Sequence, residues 1–145
     1  MTYTPEWDKT SNNYSRIFTN CVEYIDLKGD DGKAVIGNNG TLTGTAATTN
    51  RFGSLLNAQT FSSDDTLAFT SVGAIETKLS WEDTGSGWVL NREPSYLSNV
   101  GVSSYTGDLG EIFLFSDTKS TAEIDEIENL TKQKMIYPYM RGVRE

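Results

Sequence analysis

The segment that most constrains the fold is Gly107–Leu130, which predicts a buried strand, a polar turn and a capped helix in that order. Aromatic and branched apolar residues fill Glu111–Phe115 between turn residues, a pattern typical of a strand covered on both faces. Ser120 then stands three residues before Glu123, which is the spacing of a capping box. Apolar residues recur after it at helical spacing, so the sequence predicts a short helix with one apolar side.

A second interpretation of the same helix is catalytic. Residues 123–128 spell E-x-D-x-x-E, which resembles the signature of laminarinase-type β-glucanases, themselves concanavalin A-like sandwiches. Glycoside hydrolysis needs two carboxylates that flank one bond. On a helix, Glu123 and Asp125 point about 200° apart and do not converge. We therefore favour a solvated helix start over a glycoside hydrolase, and we predict no enzymatic activity.

Length and residue types exclude several classes of protein. The 145 residues are enough for one domain with a substantial core. Cys21 is the single cysteine and the chain has no histidine, which excludes an intrachain disulfide, a Cys-His or Ser-His pair and zinc sites that use histidine. No apolar run approaches the roughly 20 residues that cross a bilayer, so no membrane insertion is expected. The first residues lack the basic start and apolar stretch of a secretion signal, so we expect no signal peptide.

The charge of the chain is unevenly distributed. The net charge of −8 disfavours nucleic acid as a partner. Residues 132–145 hold four basic residues and one acidic residue, whereas the remainder of the chain carries −11. The sequence therefore predicts an acidic body with a basic tail.

Strand signals recur about every 8–12 residues, which indicates an all-β antiparallel β-sandwich with one short C-terminal α-helix. We predict an N-terminal arm at residues 1–20, the sandwich with its terminal helix at 21–131, and a basic aromatic tail at 132–145. Two further segments, Arg51–Asn57 and Thr66–Phe69, are expected to add core. Besides the strand at Glu111–Phe115, the predicted strands are Val22–Leu27, Ala34–Ile36, Thr41–Thr45, Ala74–Trp81, Trp88–Leu90 and Val100–Tyr105.

The order of these segments resembles a known family. The opening Tyr24–Leu27, Asn38–Gly44, Arg51–Leu55 and Phe61 is similar to the start of laminin-G-like, concanavalin A-like lectin domains. The segment Gly107–Leu130 looks like the end of the same domain, so the resemblance covers roughly residues 22–131. It implies a jelly-roll sandwich that binds its ligands rather than transforming them.

The middle of the chain departs from that family. Only about 45 residues separate Phe61 from Gly107, where such domains usually have more strands. A shortened sandwich exposes sheet edges, and an exposed edge can pair with another chain. The shortening therefore favours a role in assembly over a complete ligand groove.

Members of that family often bind calcium or sugars through loop acids, which points to two candidate sites. Asp30 and Asp31 lie in a glycine-flanked turn, and calcium is the candidate cofactor there because loop carboxylates supply some of its oxygen ligands. The alternative is that the two aspartates only shape the turn. Flat aromatic rings near glycine-rich turns suit sugars or protein interfaces. The alternative for each ring is that it fills the core, with Trp88 first among them. These candidate ligand-binding residues are Trp81, Trp88, Tyr96 and Tyr105.

Aromatic and basic residues at the two ends of the chain are candidates for assembly contacts. The basic tail either clamps the acidic surface of a neighbouring copy or packs back on its own domain. The candidate residues are Trp7, Tyr14, Tyr137, Tyr139, Arg141 and Arg144.

Together these features predict a non-enzymatic structural or adhesion module. The expected setting is a virion or an extracellular surface, as a capsid decoration or tail-fibre protein. Its expected partners are other protein subunits, either copies of itself or other virion proteins, and not nucleic acid. The alternative function is a carbohydrate-binding module, assisted by calcium, with glycans as partners.

Overall fold

A computed structural model describes residues 3–4, 16–28, 31–53, 55–132 and 143–144. The chain divides into two compact units, one formed by Cys21–Thr118 and the other by Met1–Asn20 together with Lys119–Glu145. Most of the described elements are antiparallel strands, and a helix at Thr121–Lys132 lies late in the chain, as the sequence predicts. Residues 16–18 are also helical. The strands are β1 (Tyr3–Thr4), β2 (Cys21–Ile25), β3 (Ala34–Ile36), β4 (Thr41–Thr43), β5 (Ala46–Thr48), β6 (Ala58–Phe61), β7 (Thr66–Ala68), β8 (Thr77–Asp83), β9 (Trp88–Arg92), β10 (Leu97–Ser98), β11 (Gly101–Val102), β12 (Gly107–Phe115) and β13 (Val143–Arg144).

The larger sheet of the Cys21–Thr118 unit is built around β12. This nine-residue strand pairs along one side with β8, which in turn pairs with β9. Along its other side, β12 pairs with β6 through its first residues and with β2 through its last residues. In turn, β6 pairs with β5, and β2 pairs with β3. A bulge between Leu109 and Glu111 shifts the register against β8. The smaller sheet has four strands in the order β10-β11-β7-β4.

Residues of both sheets share one hydrophobic core. Opposed residues of an antiparallel pair lie on the same face, so Ile112 of β12 and its partner Ile25 of β2 face the same way. Both belong to the buried cluster that also contains Leu67 and Val102 of the smaller sheet. We call this side of the larger sheet the core face and the opposite side the outer face. The result is a sandwich-like arrangement of two antiparallel sheets.

The outer face of β12 is buried as well. Its residues Glu111 and Phe113 alternate with the core-face residues, and every residue from Leu109 to Phe115 is buried. Tyr24 of β2 lies opposite Phe113, and their ring centroids are 4.9 Å apart. The predicted strand covered on both faces is therefore confirmed.

Helix α1 spans Thr121–Lys132 and begins with the predicted capping box. The Ser120 backbone N–H donates to the Glu123 carboxylate (2.8 Å), and the Glu123 backbone N–H donates to the Ser120 hydroxyl (3.1 Å). The residues that spell the glucanase-like motif lie within this helix, where Glu123 and Asp125 point about 200° apart. Ile127 and Thr131 form its buried side.

Two predicted strands are shorter than expected, and a residue with positive φ lies just beyond the end of each. The predicted strand Thr41–Thr45 ends at Thr43, and Gly44 follows with φ +84°. Within Val100–Tyr105 only β11 forms, which ends at Val102, and Ser104 beyond it has φ +58°. The first residue of β11, Gly101, has φ +132°. A Cβ atom at Gly101 would lie 1.9 Å from the Leu67 carbonyl oxygen, so only glycine allows β11 and β7 to approach this closely.

Candidate functional site

The most densely interacting group of side chains on the outer face surrounds the buried carboxylate of Glu111. The Arg51 guanidinium forms an ion pair with Glu111 Oε1, and the Tyr24 hydroxyl donates to Glu111 Oε2. The Arg51 and Glu111 side chains are only 6% and 3% exposed. A charge taken out of water is strongly destabilising unless it is paired, so these three side chains require one another.

Two aromatic rings complete the surroundings of Arg51. Its Cζ atom lies 4.3 Å from the Phe52 ring centroid and 4.4 Å from that of Trp81. A guanidinium over an aromatic face is attracted by the electrons of the ring, and the attraction strengthens when water is excluded. We call Tyr24, Arg51, Phe52, Trp81 and Glu111 the Arg51 anchor.

A turn at Asn50 carries Arg51 into this position. The Asn50 side-chain oxygen accepts from the Phe52 N–H (2.9 Å), and its backbone carbonyl accepts from the Gly53 N–H (3.0 Å). Asparagine favours such turns because its side chain can replace a backbone acceptor. The turn therefore ties the start of the loop between β5 and β6 to the outer face.

The same loop places two leucines in solvent. Leu55 is 76% exposed and Leu56 is 58% exposed, and Leu56 has a positive φ of 62°. The prediction that Arg51–Asn57 supplies core is therefore wrong for both leucines. The physical reason is that the Asn50 turn directs Arg51, and not the leucines, inward to the Glu111 charge.

A second buried carboxylate lies on the core face. Glu23 is opposite Leu114 and is fully buried. Its Oε1 accepts from the Asn38 N–H (2.8 Å), whereas its Oε2 has no hydrogen-bond partner among the described residues. Gly37 leaves room for this group, since a Cβ atom there would lie 2.2 Å from Oε1. Burial raises the pKa of Glu23 to about 7, and the Asn38 hydrogen bond partly offsets this rise.

The four aromatic residues predicted to bind a ligand lie on different faces. Trp81 is buried beneath Arg51 on the outer face, and Trp88 is half-buried on the same face, opposite Asp83. Tyr96 and Tyr105 instead pack together at the core, with ring centroids 4.3 Å apart. The structure therefore does not bring the four rings together, and Trp81 is buried more deeply than Trp88.

Hydrogen bonds engage Tyr96 at the edge of the core. Its hydroxyl donates to Glu82 Oε1 (2.6 Å) and contacts the Ser80 hydroxyl, and the Asn91 side-chain amide donates to the same Glu82 oxygen (2.8 Å). Burial, together with the Glu82 hydrogen bond, raises the pKa of the Tyr96 hydroxyl well above its usual range. This tyrosine is therefore held as a neutral donor.

The remaining predicted sites are only partly within the described residues. Asp31 is exposed, and its side chain accepts from the Lys33 N–H as a turn-forming aspartate does. Among the described residues, no three Asp, Glu or Cys side chains are grouped so that they could hold a metal ion. Arg144 lies in β13, which pairs with β1. Asp30, Trp7, Tyr14, Tyr137, Tyr139 and Arg141 lie outside the described residues.

Sequence reasoning missed both buried carboxylates and the Arg51 anchor. One signal was present: Glu111 is the single charged residue in Glu111–Phe115, a run otherwise apolar enough to be buried on both faces. Such a charge requires a cation nearby. Nothing in the pattern identifies which of the 12 Lys and Arg residues supplies it.

No known protein family matches the sequence, and no match to it was found among curated proteins or among solved structures. In the part of the chain that the structure describes, no helix combines the length and the apolar character needed to cross a membrane.

The Arg51 anchor makes a first prediction about stability. Arg51→Met leaves the buried Glu111 carboxylate without its cation, and we expect it to lower the free energy of unfolding by about 3–5 kcal/mol. Adding Glu111→Gln to this variant removes the uncompensated charge, so we expect the double variant to recover part of the loss. Urea denaturation of the two single variants and the double variant measures the coupling. Strictly additive effects would show that the two side chains do not depend on each other.

Glu23 makes a second prediction, about pH. The folded pKa of about 7 lies above the unfolded value of about 4.3, so folding favours the protonated carboxyl. Its contribution to stability is fully present below pH 4.3 and is lost as the pH rises to about 7, by up to about 4 kcal/mol.

Glu23→Gln stays neutral at every pH, so we expect its free energy of unfolding to exceed that of the wild type increasingly across this interval. Urea denaturation at several pH values tests this, with Glu76→Gln, which removes an exposed carboxylate, as the matched control. A constant difference between the wild type and Glu23→Gln would contradict the assignment.

Proposed function

We propose that this protein is a non-enzymatic structural or adhesion module that joins other protein subunits. The observation that carries the proposal is the loop between β5 and β6, which exposes Leu55 and Leu56 while Arg51 holds its first residues against the larger sheet. Adjacent exposed leucines are unfavourable in water unless a partner covers them.

The anchor makes this loop suitable for binding. A loop that is ordered before it meets its partner loses less conformational entropy on association than a mobile loop does. The ion pair to Glu111 and the two ring contacts fix the residue four positions before Leu55. The two leucines then supply the apolar centre of a contact, with the acidic body around it limiting non-specific association.

The setting that we infer is a virion, as a capsid decoration or tail-fibre protein. Support comes from the resemblance to a shortened laminin-G-like, concanavalin A-like domain and from the two antiparallel sheets that share one core. In this setting the partners are copies of the chain or other virion proteins, and the sandwich is a jelly roll.

Removing the two leucines tests the assembly function. The double variant Leu55→Ser/Leu56→Asn makes the loop polar, and asparagine tolerates the positive φ at position 56. We expect wild-type protein to exceed its 16.0 kDa chain mass in light scattering at high concentration, and the double variant to show a lower average mass.

Val100→Ser is the matched control, because it also removes an exposed apolar side chain, 51% exposed, from a different loop. Its average mass should equal that of the wild type. A wild-type mass of one chain at every concentration, or one that the double variant leaves unchanged, would count against the role of the loop.

A carbohydrate-binding module is the second candidate, because one row across the outer face combines an aromatic ring with hydrogen-bonding groups. Asp108 is opposite Thr60 on one side and Asp83 on the other, and Asp83 is opposite Trp88. Thr60 is exposed and donates to Asp108 (2.7 Å), while Trp88 is half-buried. A ring face beside carboxylate and hydroxyl groups suits a sugar.

A glycan array, read with and without calcium, tests this candidate. We expect Trp88→Ala and Asp108→Asn each to reduce any binding at least tenfold, and Val89→Ser, which changes an exposed side chain on the other face of β9, to leave it unchanged. Absence of binding by the folded wild type under both conditions would remove the candidate.

A further inference from the structure

The hairpin formed by β5 and β6 differs in charge from the rest of the chain. Residues 46–61 contain one charged residue, Arg51, and its charge is paired with Glu111. All 20 acidic residues of the protein lie outside residues 32–63. Without Arg51 the chain has 11 basic and 20 acidic residues, a net charge of −9. The hairpin is therefore an uncharged part of a strongly acidic protein.

The hairpin is polar at its base and apolar at its tip. Ala46 and Thr60 lie opposite each other at the base, where the Thr60 hydroxyl donates to Asp108 (2.7 Å). The loop that joins the two strands carries Leu55 and Leu56, which are 76% and 58% exposed. We call these two leucines the loop tip. An acidic side chain thus contacts the base of the hairpin, whereas the tip offers apolar side chains to solvent.

Leucine is an unfavourable residue at position 56 of an isolated chain. Its φ of 62° lies in the left-handed region, which glycine and asparagine adopt more readily than leucine does. Its exposed apolar side chain is unfavourable in water as well. A partner that covers the loop tip would remove this second cost, which is what the chemistry of the position requires.

The charge distribution indicates which partner fits the loop tip. Two copies of a protein with a net charge of −8 repel each other, and the repulsion is strongest where acidic surfaces meet. The uncharged hairpin is a place where two copies can approach without bringing carboxylates together. An apolar patch is also complementary to itself, as a twofold contact requires, because the same residues then lie on both sides.

We propose that two copies of this chain associate tip to tip, with Leu55 and Leu56 of one copy packed against Leu55 and Leu56 of the other about a twofold axis. The inference rests on the proposed assembly function and names its partner as a second copy. Two leucines from each chain make a contact that is small compared with a standard interface, so we expect a dimer whose population rises with concentration. A twofold contact closes on itself, so the mass should not exceed twice the 16.0 kDa chain mass.

The salt dependence of the wild-type protein tests the uncharged contact without any variant. Raising sodium chloride from about 0.1 M to about 1 M shortens the Debye length from about 10 Å to about 3 Å, which screens the repulsion between the acidic bodies. We therefore expect the dimer population in light scattering to rise with salt. A population that falls with salt or stays constant would overturn the proposal, because ion pairs between copies, such as a basic tail on an acidic body, weaken on screening.

Opposite charges at position 55 test whether the two tips face each other. Leu55→Glu and Leu55→Lys each place two like charges across the proposed axis, and we expect each variant alone to show one chain mass. An equimolar mixture of the two variants opposes glutamate to lysine, and we expect its average mass to rise towards twice the chain mass. Circular dichroism of each variant checks that it remains folded.

Val100→Glu and Val100→Lys are the matched controls. They make the same two changes in charge at another exposed apolar residue, 51% exposed, and each should dimerise as the wild type does. A mixture of the two position-55 variants that stays at one chain mass while both are folded would overturn the tip-to-tip contact, as would a wild-type mass that grows beyond two chains.

These outcomes separate the inference from the proposed function. If Leu55→Ser/Leu56→Asn loses mass but the mixture of Leu55→Glu and Leu55→Lys does not recover it, the loop assembles with some other surface. The proposed assembly function then stands and the tip-to-tip contact does not. If Leu55→Ser/Leu56→Asn keeps the wild-type mass, the role of the loop in assembly fails, and the tip-to-tip contact fails with it.

Discussion

The burial of one carboxylate in the middle of β12 determines how the outer face is organised. β12 joins β8 on one side to β2 and β6 on the other, so its residues between Leu109 and Phe115 are buried on both faces. A buried charge without a partner would destabilise this strand by several kcal/mol, a large part of the stability of a typical domain. The Glu111 charge is therefore tolerated only because Arg51 and Tyr24 reach it. The loop that carries Arg51 is thereby linked to the strand on which the larger sheet depends.

This link separates the part of the loop that stabilises the sheet from the part that the proposed assembly would use. The first residues of the loop contact the sheet through Arg51 and Phe52, and the later residues extend into solvent with Leu55 and Leu56. Removing the exposed leucines deletes no buried contact, whereas removing Arg51 leaves a charge inside the protein. The two ends of the loop are thus under different physical constraints, and a polar change at the tip leaves the anchor intact.

The parts of the fold that follow from local chemistry could be predicted from the sequence. The helix start needs only Ser120 and Glu123, three residues apart. The Arg51 anchor could not be predicted in this way, because Arg51 and Glu111 meet only after the strands between them have paired. The exposure of Leu55 and Leu56 was missed for a related reason. Two adjacent leucines in a sequence indicate core. Their exposure follows only once it is known that the Asn50 turn directs Arg51 inward in their place.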